Sequence, residues 1–489
     1  MDLFQRREFL RRSAILSAAV TAGSPLVASA AKDEKKAGAN DKLRVAVVGV
    51  NGRGMSHVGG FANKAGTEVV TICDCDEAVI GKAMTSITKS QGKAPQYVKD
   101  IRKVLDDKNI DIISIATPNH WHALMAVWAM RAGKDVYCEK PATHNLHEGR
   151  LMVQAARKYN RICQVGTQSR SNPGMRDSIQ YIHDGKIGKV HTAYGTCYKN
   201  RPSIGDAGIN GGEQKPPKTM DYDLWTGPAP LKMPKRNGKH GPVHYDWHWI
   251  WDYGNGDFGN QGVHEADKAR WGLQVGLPLS VVSVGGRVGY VDDGETPNTQ
   301  LNMYEYANDQ KILFEVRGLK SEAYKGAGVG NIFFGDKGYV VCPSYASGIA
   351  YTPDGKKVAE FKGGGDQHHF DNFVKAVRSR KMQDLHCDVE QGHLSAALCH
   401  LGNISYRLGA ETTLDKPVDA FTSSKEAIEA FGRMKKHLED NKVALDKAVG
   451  HVGLKLTLDP KAETITGNKT ANDMLFREYR KGFDITEAV

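Results

Sequence analysis

Three things are missing from this 489-residue chain, and each absence narrows what it does. Beyond residue 30 no run approaches the roughly 18 consecutive apolar residues a membrane helix needs, so no membrane partner is expected. The formal charge of +10 is not gathered into a dense basic stripe; acids are interleaved throughout, so nucleic acid is not an expected partner. The eight cysteines (Cys73, Cys75, Cys138, Cys163, Cys197, Cys342, Cys387, Cys399) show no paired metal spacing, and Cys73-x-Cys75 is too tight for a zinc knuckle. They read as buried thiols. His244, His248, His368 and His369 lack accompanying ligands at metal spacing, and no metal is expected.

What is present begins with an address. Arg6-Arg7-Glu8-Phe9-Leu10-Arg11, a modest apolar stretch from Ala14 to Val27 and Ala28-Ser29-Ala30 resemble a bacterial twin-arginine signal over residues 1–30, which predicts a periplasmic protein. Residues 31–42 read as a linker. Losing residues 1–30 removes four arginines and two acids and leaves about +8.

The first folded unit, residues 43–166, carries dinucleotide-binding signals. Leu43–Val50 is a nearly continuous apolar run, as a parallel strand buried on both faces requires. It enters Gly49-Val50-Asn51-Gly52-Arg53-Gly54, where glycines allow a tight turn and close approach of backbone to a pyrophosphate. Asn51 stands at the place of the middle glycine; Asn tolerates positive φ, and Gly52 adjoins it. A second strand, Thr67–Cys73, ends at Asp74, whose carboxylate is placed for ribose hydroxyls and against a 2′-phosphate, favouring NAD over NADP. Strand Ile110–Ala116, then Thr117-Pro118-Asn119-His120, helix Ala123–Ala132 and strand Gly133–Cys138 continue the alternation of a doubly wound α/β sheet.

Thr117-Pro-Asn-His-Trp-His122, Gly133-Lys134 and Glu139-Lys140-Pro141, in that order, resemble the run found in the glucose-fructose oxidoreductase/inositol dehydrogenase (Gfo/Idh/MocA) family, over residues 43 to about 425. The resemblance implies a Rossmann domain followed, over 167–425, by an α/β domain with a large open, mostly antiparallel sheet. It further implies a nicotinamide cofactor, sugar or polyol substrates and a homo-oligomer packed through the sheet. Carried onto this sequence, the cofactor is bound by Gly49, Asn51, Gly52, Arg53, Gly54, Asp74, Thr117, Pro118, Asn119, His122, Glu139, Lys140 and Gln168.

Lys140 is the implied catalytic lysine: an ammonium just past a strand end can steady charge developing on the reacting oxygen. In Asn260-Gln-Gly-Val-His264-Glu-Ala-Asp267, a continuous helix would put residues 260, 264 and 267 on one face. His264 is the expected proton acceptor, Asp267 its candidate partner, and Asn260 stands where many relatives carry Asp. Asn cannot ionise, so Asn260 can orient but cannot act as base. Arg170, Tyr198, Lys199 and His264 are the substrate candidates. The aromatic run His244-Tyr-Asp-Trp-His-Trp249, with Trp251, suits a sugar platform or a packed loop equally.

Residues 280–316 alternate apolar and polar, as in half-buried strands; helices are expected at Phe370–Ser379 and Val389–Leu408, and residues 426–489 form an extension without assigned chemistry. Export of a nicotinamide enzyme poses a supply problem, because the periplasm holds no free NAD pool. The cofactor must stay bound and return to its starting state. Net sugar oxidoreduction satisfies this; so does an NAD-dependent glycosidase or epimerase working by transient oxidation. A catalytically silent carbohydrate-binding protein is the third reading.

Overall fold

A computed structural model describes residues 42–486, apart from 63, 65, 207, 209–211, 237, 238 and 417. The signal (1–30) and nearly all of the linker (31–41) lie outside the described residues.

The first sheet contains β1 (Leu43–Val48), β2 (Thr67–Cys73), β3 (Gln96–Val98), β4 (Ile112–Ile115), β5 (Asp135–Cys138) and β6 (Cys163–Val165), in the order β3-β2-β1-β4-β5-β6. Every pairing is parallel. Val45, Val47, Ile113 and Ile115 are fully buried, as helices on both faces demand. The order reverses between β1 and β4, and ligands of open α/β sheets bind at such a switch point. The helix expected from Ala123 starts earlier, at Asn119, because Pro118 presets the backbone at its N-cap.

The second sheet runs β14-β13-β12-β11-β7-β10-β9-β8-β16-β15. Its strands are β7 (Val190–Tyr198), β8 (Ser280–Gly286), β9 (Thr299–Glu305), β10 (Lys311–Arg317), β11 (Val329–Gly335), β12 (Gly338–Cys342), β13 (Ser347–Tyr351), β14 (Lys357–Lys362), β15 (Ala410–Thr413) and β16 (Val449–Val452). Two further strands, β17 (Leu456–Asp459) and β18 (Thr464–Ile465), continue from β8. Only β7 and β10 pair in parallel; the rest of the sheet is antiparallel.

The alternating segments at 280–316 are not half-buried. β8 is buried along its whole length, and β9 and β10 at all but one residue each. The cause lies in the extension. Helix Lys425–Asp440 lays Ala427, Ala430, Phe431, Met434 and Leu438 onto Val282, Val284, Leu301, Met303 and Leu313, covering the sheet's outer face. The inner face packs on helices Val263–Leu273 and Val389–Arg407.

The cores of the first sheet also take in segments from the chain beyond residue 166. Helix Gln367–Ser379 inserts Phe370 and Phe373 among Val45, Val47 and Tyr137 of the first sheet and Phe61 of the helix Gly54–Phe61. Phe483 and Ile485, at the far end of the extension, pack beside Trp121 and Leu124. These returns fix how the cleft over the first sheet is walled.

Candidate functional site

A cleft runs along the carboxyl ends of β1, β2, β4 and β5. Gly49, Asn51, Gly52, Arg53, Asp74, Thr117, Pro118, Asn119, His122, Glu139, Lys140 and Asn260 line it. Gly49 holds φ +81°, and a Cβ there would stand 2.8 Å from the Ala116 carbonyl oxygen. At Gly54 a Cβ would sit 1.8 Å from the Gly49 oxygen, so both positions admit only glycine. Gly52, at φ +132°, has nothing within 4 Å of an added Cβ, leaving bare backbone before the N-terminus of helix Gly54–Phe61. This is a cradle for a pyrophosphate, and the residues present fit a dinucleotide.

Asp74 lines the cleft at the end of β2, but its oxygens already accept the Val50 and Asp76 N–H groups, at 2.9 and 3.1 Å. Burial pushes its carboxyl up from the usual range. Arg53 sends its guanidinium sideways rather than across the cleft, to Glu139 (2.8 Å) and Asp366 (2.6 Å).

Glu139 is a hub beneath the site. It accepts from Arg53, from His57 Nε2 at 3.2 Å and from Gln168 Nε2 at 3.1 Å. Burial alone would raise its pKa; Arg53 and His57 overcome that and hold it well below the usual carboxylate range. Gln168 is therefore a prop for Glu139 and is not among the cleft-lining residues. His122 is wedged between the Thr117 and Pro141 carbonyls, 2.7 Å from each.

Lys140 Nζ donates to the main-chain carbonyl of Asn260. That carbonyl lies in a π-helical turn, Phe258–Gly262, which precedes helix Val263–Leu273. The expected single α-helix through residues 260, 264 and 267 is thus broken by a wider turn, of the kind often found at functional sites. Burial lowers the Lys140 pKa, and the Arg53 and Lys199 charges push the same way. His264 is buried, with no partner for Nδ1 among the described residues; its ring stands 4.6 Å from that of Tyr345. Burial, then the Lys140 charge, hold its pKa well below 6.5, so the ring is a neutral proton acceptor at pH 7.

Two expected neighbours are elsewhere. Asp267 does not face His264: it is fully buried and gripped by Arg170, with Ser395 Oγ donating at 2.7 Å. Arg170, spent on that carboxylate and lying over the Trp271 ring, is equally removed from substrate. Tyr198 fails by strand parity. It shares a face with Tyr194, the outer one, and its hydroxyl donates to Glu315 at 2.7 Å beneath the Arg317 guanidinium. Lys199, the next residue, reaches the π-turn that holds Lys140, though it is not among the cleft-lining residues: its Nζ donates to Gln261 Oε1 at 2.7 Å.

Sequence reasoning missed the roof. A strap between residues 219 and 253 crosses the cleft and contributes Met220, Leu224, Trp225, His244, Tyr245, Trp247 and His248 to its lining. It is stitched down at several points. Asp221 N–H donates to the Cys75 carbonyl, Glu77 N–H to that of Thr219, and Trp121 Nε1 to that of Trp225. His244 lies 2.9 Å from Asn51 Nδ2 through Nδ1 and 2.8 Å from Asp76 Oδ2 through Nε2. The aromatic run is therefore a lid on the dinucleotide cleft as well as a wall toward Lys140. Trp225 sits in a segment without periodicity, and nothing local marked it.

Comparisons agree with this geometry. Residues 43–167 match a family described as oxidoreductase family, NAD-binding Rossmann fold, and residues 204–438 match its C-terminal alpha/beta domain. A glycosyl hydrolase family 109 protein of Shewanella sp. (strain ANA-3) is 32% identical over 181 residues, 34% of this chain and 39% of that protein. An alpha-N-acetylgalactosaminidase of Shewanella oneidensis is 30% identical over the same shares. The chain thus spans about two fifths of these curated relatives. Among solved structures, the WlbA dehydrogenase of Bordetella pertussis, in complex with NADH and UDP-GlcNAcA, superposes with TM-score 0.53 at 20% identity, over 73% of this chain and 94% of that one. An aldose-aldose oxidoreductase of Caulobacter crescentus, complexed with glycerol, gives 0.54 at 16%, over 73% and 95%. At these identities the likeness is one of fold.

Proposed function

Because this chain belongs to the glucose-fructose oxidoreductase/inositol dehydrogenase family, with its NAD-binding Rossmann domain, we propose that it is an oxidoreductase working at a hydroxyl-bearing carbon of a sugar, polyol or glycoside. The observation that carries this reading is a desolvated ammonium, Lys140, in the lining of the dinucleotide cleft, whose charge is felt by the neutral imidazole of His264, buried behind that lining rather than part of it.

Gly49, Gly52, Gly54 and Asp74 would hold NAD, which when bound supplies acceptance and return of a hydride at the carbon. The protein's part is positioning and proton movement. Lys140, tethered to the π-turn, directs N–H at the reacting oxygen and steadies its developing charge. His264 takes the hydroxyl proton, which a ring held neutral well below pH 6.5 is ready to do. Glu139 keeps Lys140 charged from below, and the strap's Trp225, Trp247 and His248 exclude water.

Export by the twin-arginine route is part of the proposal and requires that the cofactor be regenerated in place. The stitched strap favours such retention. A second reading, transient oxidation that assists glycoside cleavage before re-reduction, draws on the same retention and on the glycosidase names of the curated relatives. Self-association, also proposed, has to avoid the sheet area under helix Lys425–Asp440.

The test is to purify the exported protein, denature it and identify the nucleotide released, then follow absorbance at 340 nm when sugars meet the intact protein. Stoichiometric NAD(H) and a sugar-dependent change support the proposal. Nucleotide-free protein that fails to bind NAD(H) or NADP(H) contradicts it. A loaded protein that binds sugars with neither an absorbance change nor cleavage or epimerisation of a glycoside leaves only the silent carbohydrate-binding reading.

A further inference from the structure

The π-turn anchors two ammonium groups on consecutive residues. Lys140 Nζ donates to the Asn260 carbonyl, and Lys199 Nζ to Gln261 Oε1 at 2.7 Å. Both acceptors are neutral. Among the described residues, no carboxylate oxygen lies within the 4.0 Å ion-pair distance of either ammonium. The neighbouring acids are already spent: Glu139 on Arg53 and His57, Asp257 bidentate on Arg201, Glu265 on Lys268.

Gln261 is itself fixed. Its Nε2 donates to the Tyr345 hydroxyl at 2.6 Å and to Glu265 at 3.4 Å, which turns Oε1 toward Lys199. Lys199 is thus a half-buried cation held in place, not a free surface lysine finding counter-ions in solvent. Its charge is felt at Lys140, where it opposes protonation. Glu139 and Glu265 offset part of the charge at Lys140, but no carboxylate is in ion-pair contact with Lys199 among the described residues, and a cation held in that way gains most when a ligand brings the counter-charge.

We propose that the substrate is an acidic sugar, whose carboxylate or sulfate ester is held by Lys199 beside the hydroxyl carbon served by Lys140 and His264. The proposal rests on the oxidoreductase reading and adds the substrate class. A neutral sugar would bury Lys199 against hydroxyls alone.

The test is calorimetric binding to the purified holoenzyme in low salt, using methyl glucoside, methyl glucuronide and glucose 6-sulfate, and the same trio in the galactose series. At least one anionic probe should bind about tenfold or more tightly than its neutral partner, a difference that shrinks as salt is added. Whether carboxylate or sulfate wins identifies the anion. Lys199→Gln should cut the advantage to threefold or less, and Lys199→Arg should keep most of it, which separates charge from packing. Equal binding of neutral and anionic probes in both series overturns the proposal, as does an advantage that survives in Lys199→Gln. If the preference is present while no probe alters absorbance at 340 nm and no glycosidic probe is cleaved, the acidic-ligand assignment stands and the oxidoreductase reading falls.

Discussion

Arg170 holds Asp267 through three hydrogen bonds, Nε at 3.0 and 2.8 Å and Nη2 at 2.8 Å, with the carboxylate wholly buried. Removing one partner of such a pair strands the other's charge, typically at about 3–5 kcal/mol. Asp267→Asn should therefore lose stability of that order in urea unfolding, while its turnover per folded molecule and its pH profile stay near native. A pH profile displaced without loss of stability would return Asp267 to the proton path.

Asn260 offers the complementary change. Residue 260 lines the cleft and accepts from Lys140 through its main chain, at the position where the family resemblance implies a carboxylate. Asn260→Asp should place a negative charge close to His264 and raise its pKa, by about one unit or more at such range. The base must be unprotonated to work, so the acidic limb of kcat/KM should move to higher pH. An acidic limb that stays in place would mean that residue 260 and His264 do not sense one another.

His244 ties the strap to Asn51 and Asp76. His244→Ala removes both links, worth roughly 1–3 kcal/mol together, so bound NAD should leave about ten- to a hundredfold faster in a stopped-flow chase. An unaltered release rate would show that the remaining stitches suffice and that His244 does not gate the cleft.

Acid should undo the fold in a defined window. Burial lowers the pKa of His120, His248 and His400 to about 3 and that of His369 to about 4. In the unfolded chain these rings take up protons near pH 6.5, while the folded protein keeps them neutral. Their stabilisation is complete above 6.5 and lost as pH falls toward 4, at up to about 1.4 kcal/mol per ring per pH unit. Urea midpoints should be level from pH 7 to 8 and fall steeply below 6; midpoints independent of pH down to 4.5 would contradict this burial.

The glycine loop, Asp74 and Lys140 were legible because their signals are local: an apolar strand, a turn only glycine can make, and a strand end. The parallel sheet followed from the same runs. Tyr198 and Lys199 show where local reading stops, since a one-residue step decides which face a strand side chain takes, and the covering helix lies over 200 residues away. Asp267 was misread because the partners that claim it, Arg170 and Ser395, lie 97 and 128 residues away in sequence, while the π-turn displaces Asn260 from the helical spacing. The strap was invisible as a lid because its contacts, such as His244 with Asp76 across 168 residues, depend wholly on tertiary packing.

The central claim, that His264 and Lys140 move the proton and steady the oxygen while NAD stays bound, is tested most directly by single-turnover absorbance at 340 nm. Native protein and His264→Ala would be compared at equal nucleotide content and saturating sugar. Loss of a positioned proton acceptor costs on the order of 100- to 10,000-fold in rate, so the variant should hold its nucleotide and change absorbance at least a hundredfold more slowly. An equal rate in the two proteins would contradict the account.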